Sequence, residues 1–141
     1  MSGFLLDTNC VSELIRSKPE PRVIDWIRLA DESLLYLSVL TLGEIRKGAA
    51  ALPQSKRRTY LESWLESDLP ARFSGRILAI DNAVADRWGW LTAEAERNGR
   101  PLAAIDGLLA ATALHHNLTI VSRNVSDFTS TQVPVLNPWD V

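Results

Sequence analysis

Three acidic residues interrupt apolar segments of this chain, where an isolated carboxylate is costly to bury. Asp7, Glu44 and Asp106 each stand in a run of mostly apolar residues. A buried carboxylate must be paired, hydrogen-bonded, protonated or bound to a metal ion. Because none of the three has an obviously buried Lys or Arg beside it, the pattern favours a cation that all three share. The three acids therefore indicate a metal-dependent active site.

Each of these acids also has a purely structural explanation. Asp7 can cap a helix that follows a strand, as Asp commonly does. Glu44 can be a solvated helix residue or the ion-pair partner of Arg46 or Lys47. Asp106 interrupts a strongly apolar helix, and capping explains it only if the helix begins there. These alternatives stay open at the level of the sequence.

Composition predicts one ordered domain over residues 1–141. The chain is 46% hydrophobic and 23% charged, with a formal net charge of −2 and a single cysteine. The net charge argues against general polyanion binding, so any nucleic-acid contact must come from a local basic patch. One cysteine excludes an intrachain disulfide. We see neither a leader nor a membrane-spanning segment in the sequence, and we therefore expect a cytoplasmic protein with no membrane partner.

Short apolar runs alternate with segments of helical periodicity. Strands are predicted at about 4–7, 34–39, 77–80 and 119–122, with an edge strand at 133–136. Helices are predicted at about 8–15, 22–30, 41–51, 55–69, 82–98 and 102–116, with caps at Thr8 or Asn9, Thr41, Ser55 and Asp81 and ends at Gly99 and Asn117. Strands separated by helices imply a three-layer α/β/α sandwich with a mainly parallel sheet. Ligands bind such sheets beyond the carboxyl ends of the strands, where the three acids can converge.

Four ordered blocks of sequence carry a family resemblance. They are Asp7-Thr8-Asn9-Cys10-Val11-Ser12, Leu40-Thr41-Leu42-Gly43-Glu44-Ile45-Arg46-Lys47-Gly48, Ile105-Asp106-Gly107-Leu108-Leu109-Ala110-Ala111-Thr112-Ala113 and Ile120-Val121-Ser122-Arg123-Asn124-Val125-Ser126-Asp127-Phe128. In this order they resemble the PIN-domain ribonucleases of the VapC toxin family. The closing Asn137-Pro138-Trp139 and the overall length are most similar to the FitB-type branch.

The resemblance implies an activity, a cofactor and partners. It implies a Mg²⁺- or Mn²⁺-dependent endoribonuclease, the toxin of a type II toxin–antitoxin system, which acts on RNA and is restrained by a cognate antitoxin. It also implies a homodimer that joins the antitoxin in a hetero-oligomer. The family's acidic cluster maps onto Asp7, Glu44 and Asp106. A fourth acid of many relatives falls near Asn124 or Asp127, and the sequence does not decide between them.

The chemistry of such a cluster suits phosphodiester hydrolysis. Mg²⁺ takes oxygen ligands, commonly one or two carboxylates together with waters and a substrate phosphate. Such a cation activates water for in-line attack on phosphorus and neutralises charge on the leaving oxygen. We assign Asp7 and Asp106 to the principal metal, and Glu44 to a second metal or to the attacking water.

Smaller polar residues complete the predicted site. Thr8, Asn9 and Ser122 are candidates for supporting the acids or contacting phosphate, and each can equally be a cap. A basic run at Lys56-Arg57-Arg58 could guide RNA or form a solvated helix face.

Two other functions fit the same acids. An interaction module could receive a basic partner segment in the acidic pocket. A Mg²⁺-dependent phosphatase could use Asp7 as its nucleophile, although the haloacid-dehalogenase pattern requires a second acid where this chain has Asn9.

Overall fold

A five-stranded sheet forms the centre of the molecule in the computed structural model, which describes residues 2–141. The strands are β1 (Phe4–Leu6), β2 (Leu35–Ser38), β3 (Ile77–Leu78), β4 (Thr119–Val121) and β5 (Val135–Leu136). Their order in the sheet is β3-β2-β1-β4-β5. Every strand pairing within residues 2–141 is parallel. The carboxyl ends of the central strands therefore meet at one edge.

Helices connect the strands and cover the sheet. They are α1 (Thr8–Ser12), α2 (Pro21–Leu29), α3 (Val39–Ala50), α4 (Lys56–Ser63), α5 (Leu69–Arg72), α6 (Asn82–Arg97) and α7 (Ala104–His115). Short 3₁₀ turns lie at Glu13–Ile15, Glu32–Leu34, Val125–Phe128 and Pro138–Asp140, and a π-helical turn at Trp64–Asp68 joins α4 to α5. None of the helices within residues 2–141 combines the length and apolar character needed to cross a membrane.

Two hydrophobic cores lie on opposite faces of the sheet. Leu6 and Val121 face the core formed with α1, α2 and the segment from α4 to α5. Their neighbours Leu5 and Ile120 face the core formed with α7. Because successive strand residues point to opposite faces, this alternation requires a layer of helices on each side. The predicted three-layer α/β/α architecture is confirmed.

Two helices begin earlier than the sequence predicts. Asp7, and not Thr8 or Asn9, caps α1. Ser38, and not Thr41, caps α3, because its hydroxyl accepts the Leu40 N–H as soon as β2 ends. The strand therefore passes directly into the helix without a loop. This places Glu44 in the second turn of α3, facing the carboxyl edge of the sheet.

Candidate active site

Asp7 is fixed by the junction between β1 and α1. The strand delivers it to the carboxyl edge of the sheet, and its backbone N–H donates to Val121 O at 2.9 Å. One carboxylate oxygen accepts the Thr8 N–H at 2.8 Å, which makes Asp7 the cap of α1. The other accepts the Ser122 hydroxyl at 2.8 Å. Although the residue is only 8% exposed, each oxygen keeps a lone pair that could reach a cation.

Ser122 organises the polar groups around Asp7. It directly follows β4 and is fully buried. While its hydroxyl donates to Asp7, the same oxygen accepts from Asn9 Nδ2 at 3.3 Å and from the Asn124 backbone N–H at 3.0 Å. The ends of β1 and β4 are thus joined through one side chain. Ser122 therefore orients the Asp7 carboxylate directly, and Asn9 contacts Asp7 only through Ser122.

Glu44 reaches the same edge from α3. The Thr8 hydroxyl donates to Glu44 Oε1 and lies 3.3 Å from the hydroxyl oxygen of the buried Thr41. Arg46, a possible ion-pair partner, instead binds Glu62 and Glu66. Within residues 2–141, Glu44 forms no ion pair with Arg46 or Lys47 at the 4 Å limit for such contacts. The structure therefore does not explain Glu44 as half of a surface ion pair.

Asp106 lies in the first turn of α7. The helix does begin beside it, but Ala103 occupies the cap position and no side chain caps the helix. Within the described part of the chain, no hydrogen bond reaches the Asp106 carboxylate. Capping therefore does not account for this acid.

Gly107 allows α6 to approach the turn that carries Asp106. A Cβ atom at Gly107 would lie 3.1 Å from both Cδ1 and Nε1 of the Trp88 indole. A side chain at this position would push α6 away from the first turn of α7. The glycine, which lowers helix propensity, is thus explained by the close packing of Trp88.

The three acids line one cavity of about 340 Å³. We call it the acid cavity, and its walls are Asp7, Thr8, Asn9, Glu44, Ala103, Ala104, Ile105, Asp106 and Asn124. Asn124 therefore belongs to its wall, whereas Asp127 lines an adjoining cavity that also contacts Asp106. The topology has brought together residues from the β1–α1 junction, α3, the start of α7 and the segment after β4.

The charges in this cavity act on one another. Burial raises the pKa of the Asp7 carboxyl, the bonds from Ser122 and Thr8 oppose this, and the charges of Glu44 and Asp127 add to it. Burial also raises the pKa of Asp106 to about 6, and the charges of Asp127, Asp7 and Glu44 contribute. Carboxylates that repel one another in a partly dry cavity favour binding of a proton or a cation.

The donor set fits a hard divalent cation. It consists of carboxylates together with Asn124 at the wall, and hard cations such as Mg²⁺ and Mn²⁺ prefer oxygen donors. Within residues 2–141, no three His, Cys, Asp or Glu side chains stand close enough together to ligate one ion in this conformation. Glu44 is held by Thr8, so ligation by all three acids requires side-chain rotation.

Ser122→Ala is expected to weaken metal binding by about tenfold, because the Ser122 hydroxyl orients Asp7 and such outer-shell bonds typically matter to that extent. Removal of a hydrogen bond to a buried carboxylate should also lower the free energy of unfolding by about 1.5–3 kcal/mol. Mn²⁺ titration and denaturant unfolding measure the two effects. Ser38→Ala is the matched control, since it also removes a buried hydroxyl, but one that caps α3 and does not contact Asp7. Equal Mn²⁺ affinities for the two variants would contradict the orienting role of Ser122.

Comparison with known proteins identifies the family. The family model described as "PIN domain" matches residues 4–132. Toxin FitB of Neisseria gonorrhoeae is 39% identical, over 96% of this chain and 98% of that protein. VapC ribonuclease Y4jK of Sinorhizobium fredii is 36% identical, over 97% of this chain and 98% of that protein. The crystal structure of FitAcB from Neisseria gonorrhoeae aligns with a TM-score of 0.92 at 38% identity, over 98% of this chain and 99% of the matched chain. This chain therefore belongs to the PIN-domain family.

Proposed function

We propose that this protein is a metal-dependent endoribonuclease and the toxin component of a toxin–antitoxin pair, acting as a single domain over residues 1–141. The observation that carries the proposal is the acid cavity, where Asp7, Glu44 and Asp106 come together from three separate elements. The relatives named as a toxin and as a VapC ribonuclease support it, because both align over nearly their whole length. The cytoplasm, where RNA is available, is the proposed location.

The proposed roles follow from the contacts of each acid. Asp7 and Asp106 would hold the principal Mg²⁺ or Mn²⁺ ion. When bound, the cation supplies activation of water and neutralises charge on the scissile phosphate. Glu44 would orient the attacking water or hold a second ion, and the Thr8 hydroxyl sets its direction. Hydrolysis in this way leaves a 5′-phosphate and a 3′-hydroxyl and does not need the RNA 2′-hydroxyl as nucleophile.

Asn124 and Asp127 would together take the place of the fourth acid that many relatives carry. Asn124 lines the acid cavity, and an asparagine side chain can offer a neutral oxygen to an ion or to water. Asp127 is exposed in the adjoining cavity, yet its charge raises the pKa of both Asp7 and Asp106. We propose that Asn124 acts as the nearer ligand or water-holder, and that Asp127 supplies negative charge to the field of the site.

The proposed protein partner is a cognate antitoxin with a basic segment. The acid cavity is negative and open, so an arginine-bearing segment could enter it and compete with the cation. The same charge supports the alternative of a non-catalytic interaction module. The phosphatase alternative is less well supported, because Asn9 donates its amide to Ser122 and offers no second acid.

A homodimer is also part of the proposal. Helix α6 exposes a shallow groove built on the small residues Ala85, Gly89 and Ala93. Trp90 beside it is 69% exposed. Asp86 and Arg97 line the same groove, so an antiparallel second copy would place opposite charges against each other.

Incubation with RNA tests the proposed activity. We expect the purified protein to cleave a pool of structured RNAs in Mg²⁺ or Mn²⁺, to leave 5′-phosphate ends, and to be inactive in chelator. The matched control is the same RNA pool with the Asp7→Asn variant. Absence of cleavage in either metal, with intact RNA binding, would favour the interaction module. Release of phosphate from small phosphomonoesters without RNA cleavage would favour the phosphatase.

A further inference from the structure

Two further cavities adjoin the acid cavity in turn. The acid cavity shares Ala103 and Asp106 with a second cavity of about 460 Å³. That cavity shares Arg100, Thr129 and Ser130 with a third of about 570 Å³. The three cavities therefore adjoin one another through shared wall residues, and we call the second and third together the lateral groove.

The charge of the lateral groove changes sign along its length. Asp106 and Asp127 stand at the end nearest the acid cavity. Arg100 stands where the two cavities of the groove join, and Arg87 lines the far cavity together with Glu94. Both arginines are exposed, and within residues 2–141 neither forms an ion pair at the 4 Å limit. They are thus available to an anionic ligand.

The basic run on α4 is differently placed. Arg57 donates to the carbonyl oxygen of Ile15, and Arg58 donates to that of Leu52. Because these guanidinium groups hold the fold together, they are poorly placed to follow a phosphate backbone. The arginine side chains of the lateral groove are not used in this way.

The rest of the groove combines polar side chains with apolar ones, which include Trp90, Leu91 and Leu114. Its wall between the arginines includes Thr129, Ser130, Thr131 and Gln132. Hydroxyl, amide and guanidinium groups are the usual contacts to phosphate and sugar oxygens, and they carry little sequence information. An extended single strand can lie along a path that combines cationic, polar and apolar side chains.

We propose that the lateral groove binds the single-stranded RNA segment on one side of the scissile phosphate, with Arg100 and Arg87 contacting its backbone phosphates. This inference rests on the proposed function, since it assumes that the acid cavity holds the phosphate to be cleaved. The negative acid cavity repels RNA until a cation is bound, so the arginines supply affinity that does not depend on metal. They would act in binding and not in the chemical step.

Binding of a fluorescently labelled, unstructured RNA in chelator tests the proposal. The test variants are Arg87→Gln, Arg100→Gln and the double variant. Lys18→Gln/Arg28→Gln is the matched control, because it also removes two exposed positive charges and neither residue lines the groove. We expect the double Arg variant to bind roughly tenfold more weakly than the control. The slope of log affinity against log salt should fall by about 0.7 for each phosphate that a variant no longer neutralises, or about 1.4 for the double variant.

The outcomes separate this proposal from the proposed function. If the parent cleaves RNA but the double Arg variant binds RNA like the control, the groove proposal is wrong and the endoribonuclease stands. If the parent does not cleave RNA but binds it in an arginine-dependent way, the groove stands and the proposed activity fails. If the parent cleaves RNA in metal but does not bind it in chelator, only the groove proposal is wrong. If the parent neither binds nor cleaves RNA, both fail. Weaker binding of the double Arg variant to an oligoglutamate peptide, with unchanged RNA affinity, would assign the groove to an acidic protein segment and overturn the proposal.

Discussion

Asp106→Asn is expected to lower metal-dependent RNA cleavage by on the order of a thousandfold while leaving the fold intact, because the amide keeps the shape of the side chain and removes the charge that we propose holds the cation. Asp7→Asn should have an effect of similar size. Initial cleavage rates in saturating Mn²⁺, together with circular dichroism, measure the two variants.

Asp68→Asn is the matched control for this prediction. Asp68 is exposed in the π-helical turn and lines none of the cavities described above, so the same chemical change should leave the rate within about twofold. Full activity of Asp106→Asn at saturating metal would show that Asp106 is not a ligand. An equal decrease of activity in all three variants would indicate a general effect of charge, and not a site at Asp7 and Asp106.

The fold was largely predictable because its signals are local. Ser55 and Asp81 cap α4 and α6 as their residue types suggest. Gly99 and Asn117 adopt positive φ angles of 70° and 57° just beyond α6 and α7. Each of these features depends on residues within one turn of the position concerned, so a single sequence contains the information.

The helix predicted at 55–69 shows where local patterns are insufficient. It is interrupted by a π-helical turn, in which the Leu69 N–H donates to Trp64 O. Pro70 follows directly and has no N–H to continue the ladder. Hydrophobic spacing alone does not reveal such a turn, because Trp64 and Leu65 at its start and Leu69 just after it are all buried.

The candidate site was predictable in its acids and not in their surroundings. Asp7, Glu44 and Asp106 are conspicuous because a carboxylate in an apolar run needs an explanation. Contacts between distant elements have no comparable signal in the sequence. Thr41 beside Thr8, and the Trp88 indole against Gly107, depend on how α1 meets α3 and how α6 meets α7. Those contacts emerge only from packing of the whole chain.

The electrostatics of Asp106 predict how stability should depend on pH and metal. Its pKa is about 6 in the folded protein and 3.8 as the ordinary value, so folding favours the protonated form. The resulting stabilisation is fully present below the ordinary pKa and is lost as pH rises through about 6. Above that pH, Asp106 is ionised in the metal-free protein. Its charge is then repelled by the charges of Asp7, Glu44 and Asp127, which lowers the stability of the folded state.

Asp106→Asn should therefore melt at the same temperature as the parent or a few degrees higher in chelator at about pH 7.5, and this advantage should shrink at about pH 5. Asp31, Glu32 and Asp81 also titrate, and hydrogen bonds lower their pKa values. Because both proteins contain these residues, their contributions cancel when the two melting temperatures are compared.

Excess Mn²⁺ should raise the melting temperature of the parent and have little effect on the variant, because a ligand of the folded state stabilises it by mass action. Thermal melts at the two pH values, with and without Mn²⁺, provide the measurement. If the variant melts several degrees below the parent in chelator and both respond equally to Mn²⁺, Asp106 is a structural residue and the metal site must be assigned without it.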